Sequence, residues 1–232
     1  MEKKKAYGNN MEIGEFSAKN SRNFMSLRMN DEKPKLLLHS CCGPCSTAVI
    51  ERLAPDYDLT VFYFNPCITD EEEYRVRKAN QIAFIEAFNK DNAYDDEVKF
   101  LEGDYEPELY LELVKGLENA PEGGERCTLC FMQRLRETAK TACEQGINIF
   151  TTTLSVSPHK DYARISKIGK DLAKEYDIEF LDMDFKKKAG FQRSVQLAKE
   201  YGLYRQDYCG CEFSKRDQDI HNQEIHDIEG EK

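Results

Sequence analysis

The sequence predicts a doubly wound α/β domain built on a parallel sheet, and three observations lead there. From Lys35 onward, short runs rich in branched and aromatic residues alternate with longer amphipathic stretches. Those runs are apolar at successive positions, as strands covered by helices on both faces must be. The length, 232 residues, suits one sizeable core, since domains usually run to roughly 100–200 residues.

The opening stretch, 1–34, is polar, shows no sustained period and reads as a partly ordered tail. It begins basic but lacks the apolar stretch of a secretory signal. Strands are expected at 35–39, 59–64, 98–101, 147–153 and 178–181. After an acidic start at 70–73, which suits a helix N-terminus, Tyr74, Ile82, Ile85 and Phe88 recur at helical spacing. A second helix is expected over 126–143, ending at Gly146, and a third over 159–176 with Ile165, Ile168 and Leu172 inward. A fourth, 194–201, closes on Gly202, a residue suited to the left-handed cap. The domain is therefore placed at 35–214, followed by a charged, unpatterned tail at 215–232. No apolar run exceeds four residues, far short of the ~20 that a membrane helix needs. The expected setting is the cytoplasm.

Nine cysteines in a reducing compartment are not read as a disulfide framework, and an odd number cannot pair completely within one chain. Their grouping is more informative. Cys41, Cys42 and Cys45 form one group, Cys127 and Cys130 a second, Cys209 and Cys211 a third; Cys67 and Cys143 stand alone. Cys143 reads as a small buried apolar residue. The strand KLLLH runs directly into SCCGPCS, with Pro44 suited to the first turn of a helix. Unpaired amides and the positive dipole end at such a turn depress thiol pKa values and favour the thiolate that metals bind. GGERCTLC at 123–130 repeats the device, and Gly210 frees the backbone between Cys209 and Cys211. Soft thiolates at these spacings select zinc or iron and sulfur. Seven grouped thiols exceed one four-cysteine site, so either a cluster lies beside another metal or one metal lies beside redox-active cysteines.

The chain resembles the QueH-type epoxyqueuosine reductases, the cobalamin-independent enzymes of the last step of queuosine formation in tRNA. The resemblance rests on LLLHSCCGPCS at 36–46, YFNPCITDEEEYRVR at 63–77, GGERCTLCFMQRL at 123–135, TTTLSVSPHKD at 151–161 and DFKKKAGFQRSVQLAKEYGLYRQDYCGCEFS at 184–214. It implies a Rossmann-like three-layer α/β/α fold with a parallel sheet, related to adenine-nucleotide α-hydrolase (HUP-like) folds. It further implies a [4Fe–4S] cluster beside an additional iron ion, without cobalamin. Metal ligation carries over onto Cys41, Cys42, Cys45, Cys127, Cys130, Cys209 and Cys211. The chain departs from the family pattern at Asn65-Pro66-Cys67, where many members have Asn-Pro-Asn, and Cys67 is expected to pack or to stand behind the ligands. Some relatives have Asp where Cys45 stands here.

The implied reaction is a two-electron deoxygenation of the epoxide on the cyclopentane ring, giving the alkene of queuosine and water, with electrons from a donor the sequence does not identify. Asp184 or Tyr208 is the expected proton donor, and Asp184 reads equally well as a capping carboxylate. The net charge of −10, from 33 basic and 43 acidic side chains, opposes a tRNA partner unless the positive charge is gathered locally. Arg126, Arg134, His159, Lys187, Tyr204 and Arg205 are the expected substrate contacts, forming with Arg136, Lys160, Arg164, Lys186, Lys188 and Arg193 a basic mouth. Phe191, Tyr204 or Tyr208 is placed to stack on a splayed anticodon base. His39 is either a core histidine or a support behind the cysteines; His221 and His226 lie in the tail without an assigned role. Two other classes compete. A tRNA sulfur-transfer enzyme needs an ATP-pyrophosphate loop, but SCCGPCS stands where SGGxDS is required. A zinc-stabilised binding protein leaves Cys41, Cys42 and Cys45 unexplained.

Overall fold

The computed structural model describes residues 32–92, 94 and 96–230. The sheet lies in the unit Pro34–Lys232. The tail expected over 1–34 falls outside the described residues as far as position 31.

Five parallel strands form one sheet: β1 (Lys35–His39), β2 (Asp58–Tyr63), β3 (Lys99–Glu102), β4 (Ile149–Thr152) and β5 (Glu179–Phe180), in the order β3-β2-β1-β4-β5. The period of two in a strand sends neighbours to opposite faces. Leu36 and Leu38 therefore enter one apolar core with Val61, and Leu37 enters another with Phe62 and Phe150. Helices α1 (Gly43–Leu53), α2 (Glu71–Asp91) and α6 (Gly190–Glu200) cover the first face, while α4 (Glu125–Glu144) and α5 (Tyr162–Tyr176) cover the second. The result is a three-layer α/β/α arrangement of Rossmann type. No helix among the described residues is long and apolar enough to cross a membrane.

Local chemistry sets the helix starts. Asp70 caps α2 by accepting from the Glu73 amide at 3.0 Å, and Glu71, Glu72 and Glu73 occupy the first turn. Asp161 does the same for α5 through the Arg164 amide at 3.3 Å. That cap moves the helix start from the expected 159 to Tyr162, because Pro158 lies in a preceding turn. The expected strand at 147–153 is shortened, since Thr153–Val156 winds into a 3₁₀ turn after the Thr152 hydroxyl accepts from the Leu154 amide. Gly146 and Gly202 adopt the left-handed conformation, at φ 65° and 61°.

Two elements differ from expectation. A short helix, α3 (Pro107–Leu113), follows β3, started by a proline in its first turn. The segment expected as a charged tail is helix α7 (Glu212–Gly230). Its sequence lacks an apolar stripe but contains no proline and no glycine before its end, and its first turns are anchored by Phe213, buried beneath Arg126, and by Arg216 on the Glu118 carbonyl.

The strand order places a topological switch between β1 and β4: the chain winds outward through β2 and β3 on one side and through β5 on the other. The crevice beyond the carboxyl ends of β1 and β4 is where such sheets bind ligands.

Candidate metal centre

The first thiol set stands at that crevice. Strand β1 ends at His39, and Cys42 is the extended residue preceding α1, with Pro44 in the first turn. Cys41 and Cys42 thus fall in the strand-to-helix turn and Cys45 in the opening turn of the helix. Their three sulfurs lie within 4.8 Å of one another, with Cys41 and Cys42 at 3.8 Å. A tetrahedral ion with metal–sulfur bonds of about 2.3 Å needs sulfurs about 3.8 Å apart, so this set is spaced for a single ion.

The trio's protons are unevenly held. Hydrogen bonding from Cys42 and Cys45 keeps the Cys41 thiol well below its usual range. The same contacts push Cys42 up to about 12 and Cys45 well above its ordinary value. One sulfur is therefore ready for a cation, and the other two release protons as it binds. Behind them, His39 is fully buried: its Nε2–H donates to the Phe64 carbonyl at 3.1 Å, and Nδ1 accepts from the Thr152 hydroxyl at 2.8 Å. Burial, then Arg134, lowers its pKa to about 3, so the ring is neutral and ties β1 to β4 beneath the crevice.

A second set surrounds an enclosed cavity lined by Cys67, Cys127, Cys130, Cys209 and Cys211. Helix α4 supplies Cys127 and Cys130 from its first turns, the Gly123 amide donating to Cys127 Sγ at 3.2 Å. The loop before α7 supplies Cys209 and Cys211, and the Ser214 amide donates to Cys211 Sγ at 3.4 Å. These sulfurs do not all share the close spacing of the trio. Burial raises Cys209 and pushes Cys211 to about 11, while Cys67, facing Cys130, is held down at about 6.

Arg77 of α2 fixes the Cys209–Cys211 loop. Its guanidinium donates to the carbonyls of Cys209 at 3.1 Å and Tyr208 at 3.3 Å, pairs with Glu73 at 2.6 Å and lies 5.1 Å from the Tyr208 ring centroid. Gly210, at φ 119°, passes so close that a Cβ there would stand 2.9 Å from Ile68 Cγ1 and 3.0 Å from Arg77 Nη1. Gly210→Ala is therefore expected to cost about 1–3 kcal/mol and to lower Tm by roughly 2–12 °C. Thermal unfolding with metal content measured on the same sample checks this; an unchanged Tm would refute the strain.

Arg134 lies inside the protein, 1 % exposed, donating Nε to the Cys130 carbonyl at 3.3 Å while its Nη2 has no partner. A buried cation needs an opposing charge. Facing it are the sulfurs of both thiol sets, of which Cys67 and Cys41, whose thiols are held below their usual range, oppose its charge. Lys160 is also disfavoured by burial, yet Cys209, Cys41 and Cys45 keep its pKa above the usual lysine range. Soft sulfur donors with buried cations among them fit an anionic metal–thiolate centre.

Between the sets opens a cleft of about 530 Å3 whose wall includes Cys41, Cys45, Cys209, His159, Lys160, Phe191, Arg205 and Tyr208. Cys209, Glu122 and Ser214 line both the cleft and the enclosed cavity. Of the residues expected at the substrate, Tyr208, His159 and Arg205 are in the cleft wall. The basic mouth is smaller than expected, because several of its members act as internal ties. Arg126, 1 % exposed, donates to the carbonyls of Leu117, Glu118 and Ala120. Arg164 binds the carbonyls of Gly123 and Gly124, Arg193 pairs with Glu51, and Arg136 with Glu175. Tyr204 is exposed with its hydroxyl on Glu73, and Lys187 is exposed outside the cleft wall. Asp184 accepts from the Lys186 amide at 3.2 Å within the turn before α6, whose own cap position is Ala189 with no side-chain bond, so it caps no helix. Cys143 is exposed, not buried, since it falls on the outer side of α4 near the Tyr176 carbonyl.

Two residues of this architecture were not singled out as functional by sequence reasoning. Arg77 had a signal: it interrupts the buried stripe Tyr74, Gln81, Phe84, Ile85 and Phe88 with a charge. Cys67, expected to pack or to stand behind the ligands, had as its signal the departure from Asn-Pro-Asn at 65–67.

A family model described as epoxyqueuosine reductase QueH matches residues 36–217. Proteins named epoxyqueuosine reductase QueH are similar along most of their length. That of Streptococcus pyogenes serotype M1 is 43 % identical over 188 residues, covering 81 % of this chain and 73 % of its own. That of Staphylococcus epidermidis is 40 % identical over 84 % of this chain and 82 % of its own. That of Thermotoga maritima is 35 % identical over 77 % and 89 %.

Proposed function

The chain belongs to the QueH family of epoxyqueuosine reductases, and on that premise we propose that it reduces epoxyqueuosine in tRNA to queuosine at the cleft between its two thiol sets. The observation that supports this most is adjacency: thiols from the end of β1 line the cleft, thiols from the start of α4 line the neighbouring cavity, and Cys209 of the loop before α7 lines both.

The thiol chemistry supports an iron ion held by Cys41, Cys42 and Cys45 and a [4Fe–4S] cluster held by four thiolates of the cavity set. When bound, such groups supply single electrons and Lewis acidity. The net reaction breaks both carbon–oxygen bonds of the epoxide and forms a double bond between the two ring carbons. Two electrons and two protons leave with the oxygen as water.

The chain's own residues have separate tasks. Tyr208 lines the cleft beside Cys209, and burial together with Glu73 raises its phenol above the ordinary value, so it stays protonated and can donate to the departing oxygen. Lys160, held positive by the sulfurs, stabilises negative charge developing there. Arg205 and Lys160 offer cations to the phosphates flanking the modified base, and Phe191 in the same wall offers it a stacking face. Asp184, engaged in its turn, is the less favoured donor. Tyr208→Phe is expected to lower single-turnover rate ~10²–10⁴-fold with iron and sulfide unchanged; an unaltered rate would remove the phenol from the reaction.

The reading is tested by anaerobic purification followed by iron, sulfide and zinc analysis, then by queuosine formation in tRNA with a chemical reductant and no ATP. A colourless protein holding only zinc, or turnover that consumes ATP, would overturn it.

A further inference from the structure

We propose that Ser214, acting with Glu122, is a positioning residue of the reaction: the pair fixes Cys209 in the wall that divides the thiol cavity from the cleft. The inference rests on the reading that these two spaces serve a metal–sulfur centre and its substrate. Three residues line both spaces, Glu122, Cys209 and Ser214, and they are hydrogen-bonded to one another in a chain. The Cys209 amide donates to Ser214 Oγ at 3.2 Å, and that hydroxyl donates to Glu122 Oε2 at 3.1 Å.

The chain can run in only one direction. A backbone N–H only donates and a carboxylate only accepts, so the hydroxyl between them is locked in one rotation. Its bond to the charged oxygen is also of the stronger kind. Ser214 is 3 % exposed in the first turn of α7, and its own amide donates to Cys211 Sγ at 3.4 Å. One serine therefore holds both thiol residues of the loop, Cys209 through its hydroxyl and Cys211 through its amide. Arg77 takes the Cys209 carbonyl at 3.1 Å, so both polar groups of that peptide segment are engaged.

Glu122 is exposed and lies just ahead of Cys127, on the approach to α4. The chain thus joins the loop before α7 to the segment that supplies the other thiol pair, and it does so where cavity and cleft adjoin. Cys209 is the one thiol common to both walls, so its placement sets how the centre meets the bound epoxide. Removing a group that stands behind a metal site typically costs about 10–100-fold in metal affinity or activity.

The test compares the wild-type chain with Ser214→Ala, Glu122→Ala, Glu122→Gln and the double alanine variant, each purified anaerobically. Iron and sulfide per chain, thermal unfolding, the rate of iron loss to a ferrous chelator, and kcat and KM on epoxyqueuosine tRNA are measured. Both single alanine variants are expected to load iron and sulfide, to lose iron ~10–100-fold faster, and to fall in kcat over the same range with KM little changed. Glu122→Gln keeps an acceptor oxygen and should restore most of both. Glu122 is exposed, so its variants remain informative even if Ser214→Ala folds poorly. Because the two side chains act through one chain of bonds, the double variant should be no worse than the worse single one. Wild-type chelation rate and kcat in Glu122→Ala, or losses that add in the double variant, would overturn the proposal. A fall in Tm with kcat per bound iron unchanged would reduce Ser214 to a structural tie and overturn it equally. A wild-type chain lacking iron and sulfide would instead overturn the reading beneath it.

Discussion

Cys42→Ala is expected to yield a folded chain that loses the metal of the first thiol set and at least ~10³-fold of its reductase rate, the several kcal/mol that a Lewis-acidic ion supplies. Cys42 is fully buried at the turn where β1 becomes α1, 3.8 Å from the Cys41 sulfur. Removing one sulfur from a packed site costs stability of only about 1–2 kcal/mol, so fold and function should separate. Circular dichroism should match the wild type while iron per chain falls. Cys143→Ala is the control, since that thiol is exposed and outside both sets; it should leave metal and rate unchanged. If Cys42→Ala retained wild-type rate and iron, the first set would not be a metal site.

Arg77→Met should be the most damaging single change outside the cysteines. The side chain is buried, its partner Glu73 is largely buried, and two of its donors hold the carbonyls of Tyr208 and Cys209. Breaking a buried pair from one side costs about 3–5 kcal/mol, or roughly 6–20 °C in Tm for a domain of this size. The loop carrying Cys209 and Cys211 loses its clamp at the same time, so iron retention should fall with stability. Arg77→Lys keeps the charge but not the planar fork, and should restore part of the stability while leaving the loop poorly fixed. Equal Tm and iron content in wild type and Arg77→Met would show that the loop holds itself.

The sheet was legible in the sequence because a buried parallel strand has a strong local signature: all five strands were placed, with errors only at their ends. Those errors have side-chain causes, as at Thr152, whose hydroxyl captures the Leu154 amide and turns strand into 3₁₀ helix. Helix α7 was not legible, because a polar helix has no period to find. The grouping of seven cysteines was visible from spacing, but their division around two spaces depends on which loops meet, which no local pattern encodes. Cys67 shows this most clearly: it lies far from Cys130 and Cys211 along the chain and shares a wall with them only after β1, β2 and α4 have packed. The charged residues misled in the opposite direction. Arg126, Arg164 and Arg193 look like a surface for an anionic partner, yet they spend their donors on carbonyls and carboxylates of their own fold.

On the reading proposed above, Arg134 ties the persistence of the folded chain to the filling of its thiol centre. A guanidinium without a facing charge in a protein interior costs several kcal/mol, a large share of the roughly 5–15 kcal/mol that keeps a domain folded. Chains whose thiol centre is unfilled should therefore open more often than filled ones and fall to proteases sooner.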